Sequence, residues 1–195
     1  MTTHRLRAEL LVDRPIGEVF AFFSRPENLG RITPPGLRFD LRSSDTSMRE
    51  GLEVDYSVRP LLGIPVEWRS RITDYDPPHG FRDIQLKGPY RSWDHRHDFV
   101  AEGHRTRVID VVDYSLPLGV LGELAHAAVV RGQLDEIFRH RARTIQSIFA
   151  TNFSPGISPF TIDLVLLKFT LGFEIKINLL SLVGMFLGIY LYKNV

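Results

Sequence analysis

Along most of this chain apolar and polar residues alternate with a period of two, and near residue 120 the spacing lengthens to that of a helix. Arg5 to Val12 reads as a first strand. Asp13-Arg-Pro15 then opens a helix, with Asp13 as its cap and Pro15 in the first turn, where a missing N–H costs little. Val19, Phe20, Phe22 and Phe23 give that helix an apolar side. A turn at Ser24-Arg-Pro26 leads to a second short helix over Glu27 to Ile32, stopped by Pro34-Pro35-Gly36. Six β runs follow: Leu37 to Arg42, Leu52 to Arg59, Val66 to Tyr75, Phe81 to Lys87, Arg91 to Val100 and Arg107 to Leu116. Their separators, such as Gly88-Pro89-Tyr90 and Gly103-His104, are short and turn-prone, which makes neighbouring strands antiparallel.

From about Leu121 to Ala150, Leu124, Ala128, Leu134, Ile137, Phe138, Ile145 and Ile148 recur at mostly helical spacing, the mark of an amphipathic helix with one face to bury. The element order is strand, two helices, six strands, long helix. Wrapping the sheet around the last helix buries every apolar face, so the expected class is α+β, a curved antiparallel sheet of about seven strands around a long C-terminal helix.

Specific residues sharpen this. Asp13-Arg-Pro15-Ile-Gly-Glu-Val19-Phe20-Ala-Phe22-Phe23-Ser-Arg-Pro26-Glu-Asn28-Leu29, with Ile32-Thr33-Pro34-Pro35 after it, resembles the opening of the polyketide cyclase/START-like (SRPBCC) superfamily. Gly88-Pro89-Tyr90 followed by Trp93, His95, His97 and Phe99, then Asp110, Tyr114 and Leu116-Pro117-Leu118-Gly119, and Ile137 to Arg141 in the last helix, is similar to a bacterial branch of stand-alone ligand-binding members. The resemblance covers about residues 3 to 149. It implies the helix-grip fold and a hydrophobic pocket without naming the ligand, because one fold hosts many functions.

Alternation sets Trp93, His95, His97 and Phe99 on one face of their strand, with Ser92, Asp94, Arg96 and Asp98 on the other. A two-residue turn at Gly103-His104 places His97 opposite Asp110, Trp93 opposite Tyr114 and Phe99 opposite Val108. A three-residue loop at Gly88-Pro89-Tyr90 sets His95 opposite Asp83. Two imidazole–carboxylate pairs are therefore expected on the concave face, ringed by Trp68, Gln85, Trp93, Phe99 and Tyr114. A few polar groups in an apolar lining orient a ligand. A His held by an Asp is also a tuned acid or base, which keeps an enzyme, a cyclase or dehydratase, as the alternative. The third reading is structural: buried polar groups must be hydrogen-bonded, and Asp opposite His satisfies both. His-x-His beside a carboxylate also has the donors of a metal face. Here the third ligand is only assumed, so no metal and no cofactor is expected. His4, His79, His104, His126 and His140 read as surface groups.

Composition narrows the partners. There is no cysteine, hence no thiol chemistry or disulfide framework. Residues 1–150 carry 20 Arg and 1 Lys against 21 Asp plus Glu, so nothing favours a nucleic acid. The opening residues lack a secretory apolar run, and a cytoplasmic domain is expected. The glycines are isolated at turns and form no phosphate cradle. After Ala150 the arginines stop: 151–160 reads as a linker and 161–195 as a hydrophobic tail. Within it, residues 177–192 would span about 24 Å as a helix, slightly short of a bilayer core. The tail is expected to be a membrane anchor, a helix packed on a partner, or a segment foreign to the domain. The protein's expected role is to carry or sequester a hydrophobic small molecule such as a lipid, quinone or aromatic polyketide.

Overall fold

A computed structural model of the chain describes residues 2–61, 63–150, 156–164 and 167–174. Strand β1 (His4–Val12) leads through Pro15 into α1 (Ile16–Phe23), a 3-10 helix (Pro26–Ile32) and a 3-10 turn (Pro35–Leu37). Six more strands follow: β2 (Asp40–Leu41), β3 (Glu53–Leu61), β4 (Ile64–Asp76), β5 (Gly80–Lys87), β6 (Ser92–Glu102) and β7 (Arg105–Ser115). The C-terminal helix comes in three parts, α2 (Val120–Ala125), a π turn (His126–Val130) and α3 (Arg131–Ala150). The seven strands form one curved antiparallel sheet in the order β1-β7-β6-β5-β4-β3-β2, so the architecture is the helix-grip fold.

The turn arithmetic holds. Gly103, at φ 65°, closes β6 onto β7 in a backbone region open to glycine, and the pairing is His97 with Asp110, Trp93 with Tyr114 and Phe99 with Val108. On the other side Asp83 pairs with His95. Interruptions in the β4–β5 register after Arg69 and after Thr73 add the bends by which a sheet coils.

Three local expectations change. Asp13 does not cap α1: the Pro15 carbonyl accepts the Glu18 and Val19 amides, and Asp13 lies 2.9 Å from the imidazole of His104 instead. The run Leu37 to Arg42 yields only the two paired residues of β2, because Pro35–Leu37 is spent on a turn and Arg38 takes a left-handed conformation. In the last helix Leu134, Phe138 and Ile145 are buried as spaced, whereas Leu124 is 62% exposed. The π turn inserts an extra residue per turn at 126–130, which rotates the earlier stripe out of phase with the later one.

Val112, Tyr114, Leu134 and Phe138 form a buried cluster against which Leu6, Ala8, Trp93 and Ile137 pack, and this joins α3 to the concave face of β1, β6 and β7. A second aromatic layer closes the other end. Phe20 of α1 meets Phe99 at 5.4 Å between ring centroids, and Phe23 meets it at 5.1 Å. Between the two layers the sheet is not filled.

Contacts divide the chain into Met1–Gln146 and Ser147–Val195. In the second unit β8 (Gly156–Leu164) and β9 (Leu167–Glu174) form an antiparallel hairpin, and β8 begins within the stretch read as a linker. The apolar run 177–192 lies outside the described residues. Among the described residues no helix is long and apolar enough to cross a membrane, which does not bear on spans made of strands.

Candidate functional site

The unfilled region is a cavity of about 150 Å³, walled by Phe22 and Phe23 of α1, Leu29 and Ile32 of the 3-10 helix, Trp68 and Ile72 of β4, Phe81 of β5, Trp93 of β6, and Arg141 of α3, among others. Asp83, His95 and His97 also face it, and they are its most concentrated polar feature.

Each of these arrives by strand alternation. Trp93, His95, His97 and Phe99 share the inward face of β6. Phe81 and Asp83 share that of β5, and Trp68, Ser70 and Ile72 that of β4. His95 and His97 are 4% and 6% exposed, so their polar atoms must be satisfied from within the sheet. The two carboxylates do this together. Asp110 Oδ1 lies 3.0 Å from His95 Nε2 and 2.7 Å from His97 Nδ1. Asp83 Oδ2 lies 3.4 Å from His95 Nδ1 and 3.2 Å from His97 Nε2. What the registers imply as two separate pairs is thus a four-membered cluster in which each carboxylate touches both imidazoles, with the rings 3.8 Å apart. The contacts are unequal. His95 Nε2–Asp110 and His97 Nε2–Asp83 have hydrogen-bond geometry, whereas His97 Nδ1, despite its short distance to Asp110, meets it at an angle that makes no hydrogen bond. Trp68 Nε1 donates to Ser70 Oγ at 3.0 Å, and Ser70 Oγ in turn approaches the second oxygen of Asp83 at 3.4 Å.

The electrostatics split the two imidazoles. Burial and then the neighbouring His97 push His95 below the ordinary histidine value. For His97 burial acts in the same direction, but the contacts with Asp110 and Asp83 outweigh it, and its pKa rises. Burial favours the neutral acid for Asp83 and Asp110, yet the imidazoles hold both below the usual carboxylate range. Of the two rings, His97 is therefore the one held toward its protonated form and His95 the one held toward its neutral form. One donor and one acceptor ring, side by side on a cavity wall, can orient a polar ligand group or exchange a proton with it. Asp83, His95 and His97 also each offer one ligand atom, all within 4.8 Å of one another.

Of the residues singled out from sequence, Trp68, Asp83, Trp93, His95 and His97 line the cavity. Asp110 sits behind the imidazoles. Gln85, Phe99 and Tyr114 are placed elsewhere, for separate reasons. The Gln85 amide donates to the Tyr90 carbonyl at 2.7 Å, satisfying the backbone of its own hairpin loop. Phe99 is one layer back, covered by Phe20 and Phe23. Tyr114 belongs to the cluster under α3, and its hydroxyl is 2.9 Å from His126 Nε2. His126 stacks on His4 at 3.6 Å, so neither is a free surface group.

Arg141 was not singled out, although the signal was present. It falls three residues after Phe138 and four before Ile145, in the stripe those buried residues define. Its guanidinium lies over the Phe138 ring at 5.0 Å, and its Nε is buried without a hydrogen-bond partner. Phe22, Phe23 and Ile32 read from sequence only as apolar helix residues and not as cavity wall, because which helix covers the open end of the sheet is not a local property.

Known proteins of similar shape share the first unit. The crystal structure of the Zhui aromatase/cyclase from a Streptomyces species superimposes with a TM-score of 0.62 at 14% identity, over 76% of this chain and 94% of that one. A START superfamily protein from Mycobacterium smegmatis gives 0.57 at 12% identity, over 75% and 97%. The ginseng major latex-like protein 151 gives 0.57 at 14% identity, over 75% and 97%. At such identities the likeness is one of fold, and it is the START-like fold that the residue resemblance implied. Comparison with curated proteins gives no match. A family described as a domain of unknown function (DUF4321) matches residues 146–192, so the tail carries a sequence pattern of its own.

Proposed function

We propose that the first unit binds a hydrophobic small molecule with a polar end, in the cavity between α1, the 3-10 helix, β3 to β6 and α3. The observation that carries this is the convergence of the half-buried Asp83 and the buried His95 and His97 on a hollow otherwise walled largely by aromatic and aliphatic side chains. Size narrows the ligand. A void of about 150 Å³ is comparable to one that holds a single benzene ring, so a compact aromatic or quinone ring suits it better than a lipid chain. The fold neighbours include an aromatase/cyclase and a START superfamily protein, which is consistent with ligand binding in this kind of fold.

Both tryptophans of the chain, Trp68 and Trp93, face the cavity, so occupancy has an intrinsic reporter. Native mass spectrometry of the full chain purified without detergent, followed by fluorescence titration with single-ring and two-ring phenols and quinones, tests the proposal. A co-purifying molecule or saturable quenching lost in Trp68→Ala supports it; no bound mass and no saturable change with any of them refutes it.

A second reading, a cyclase or dehydratase, is favoured by the opposite shifts of His95 and His97, which give an acid and a base in contact. His97→Ala would then abolish turnover and leave affinity nearly intact, while a purely orienting His97 would change affinity alone. For the tail, the same proposal has residues 177–192 hold a cytoplasmic domain at a membrane. Recovery of the full chain wholly in the soluble fraction of lysed cells would remove that element.

A further inference from the structure

The four-group cluster is built asymmetrically. Asp110 takes one nitrogen from each ring, Nε2 of His95 at 3.0 Å and Nδ1 of His97 at 2.7 Å. That leaves His95 Nδ1 and His97 Nε2 turned together toward a single oxygen of Asp83, at 3.4 and 3.2 Å. Donor atoms bound to one ion at about 2.0–2.1 Å are themselves roughly 3.0–3.4 Å apart, at right angles or tetrahedrally disposed. The two His–Asp83 spacings therefore match those of ligands sharing a metal. Asp110 stands where a carboxylate behind a metal-bound histidine stands, and its hydrogen bond with Nε2 fixes the tautomer and the ring plane of His95. Exposure to the hollow follows the same division: Asp83, His95 and His97 line the cavity, and Asp110 does not.

We infer that Asp83, His95 and His97 form a site for one divalent transition-metal ion, zinc or ferrous iron by donor type, with its open coordination positions facing the cavity. Two imidazoles and one carboxylate suit these ions, whereas magnesium and calcium prefer all-oxygen surroundings. The charge balance agrees, since the carboxylates of Asp83 and Asp110, both in contact with the two rings, match the charge of a divalent ion. Arg141, which lines the same cavity, works against the ion's charge. The inference needs no organic ligand and goes beyond the binding role proposed above.

The test uses the full chain, stripped with a chelator and titrated with zinc sulfate alone, by calorimetry and by elemental analysis after gel filtration. One equivalent of zinc is expected to bind, with magnesium giving no heat. Asp83→Ala and His97→Ala should each lose at least about 100-fold in affinity. Asp110→Asn, which touches only the far nitrogens, should lose about 10–100-fold. The exposed His104→Ala should lose nothing. Imidazole NMR of the unmodified protein keeps the test decisive if a variant fails to fold: zinc must shift the His95 and His97 resonances first. Ferrous iron, titrated anaerobically, should compete with zinc for the same resonances. Absence of stoichiometric binding by both ions, or zinc that leaves those two rings unperturbed, overturns the site. Because no organic ligand is present, neither outcome depends on what else the cavity holds.

Discussion

Removing Asp110 tests the cluster most directly. Asp110 is 7% exposed and contacts both imidazoles from the side away from the cavity. In Asp110→Ala the His97 imidazolium keeps only Asp83, at 3.2 Å. Breaking a buried charge pair by deleting one partner costs about 3–5 kcal/mol. At about 2–4 °C per kcal/mol for a chain of this size, the midpoint of thermal unfolding should fall by roughly 6–20 °C. Asp110→Asn keeps an acceptor for His95 and loses the charge, so its cost should be about 1.5–3 kcal/mol. The pH dependence is the sharper criterion. Asp110 titrates in the folded protein well below its unfolded value of about 3.9. Its stabilisation is therefore complete above about pH 4 and is lost as pH falls toward the folded value. His97 is shifted upward, so the part that depends on its proton is present below about pH 6.5 and disappears as pH rises through its folded pKa. The gap between wild type and Asp110→Asn should be widest at about pH 4.5–6.5 and shrink on both sides. Urea unfolding of the full chain at pH 3, 6 and 9 measures it. A gap under about 0.5 kcal/mol at pH 6, or one that is the same at all three values, refutes the charge assignment.

Two more outcomes follow from the same geometry. Imidazole NMR should show His97 titrating above about 6.5 and His95 below it; two rings titrating together at the unperturbed value would contradict the split. Phe99→Ala removes a ring that is 2% exposed and packed on Phe20 and Phe23, which should cost about 3–5 kcal/mol. A urea midpoint moved by less than the equivalent of about 1 kcal/mol, at unchanged slope, would mean that α1 does not cover the sheet as described.

Strand identity, pairing and inward faces were legible in the residues alone, because they rest on local rules. Side-chain period decided that Trp93, His95 and His97 look the same way. The two turns decided that Asp110 and Asp83 flank the imidazoles. The same rules could not reach Gln85, whose side chain folds back on its loop at Tyr90, or Tyr114, which is claimed by the helix through Leu134, Phe138 and His126. Nor could they rank Leu124 against Arg141. A π turn at 126–130 shifts the phase of the last helix, and so exposes a leucine while the stripe beyond it includes an arginine.

Alternation and turn length thus determined which groups share a surface, since both are set within a few residues of the chain. Whether those groups meet as two pairs or as one cluster depended on how adjacent strands twist and coil. The size of the hollow beside them depended on how far α1 and α3 stand from the sheet. Those distances come from packing between elements remote in sequence, where every contact is conditional on all the others, and only the tertiary structure decides them.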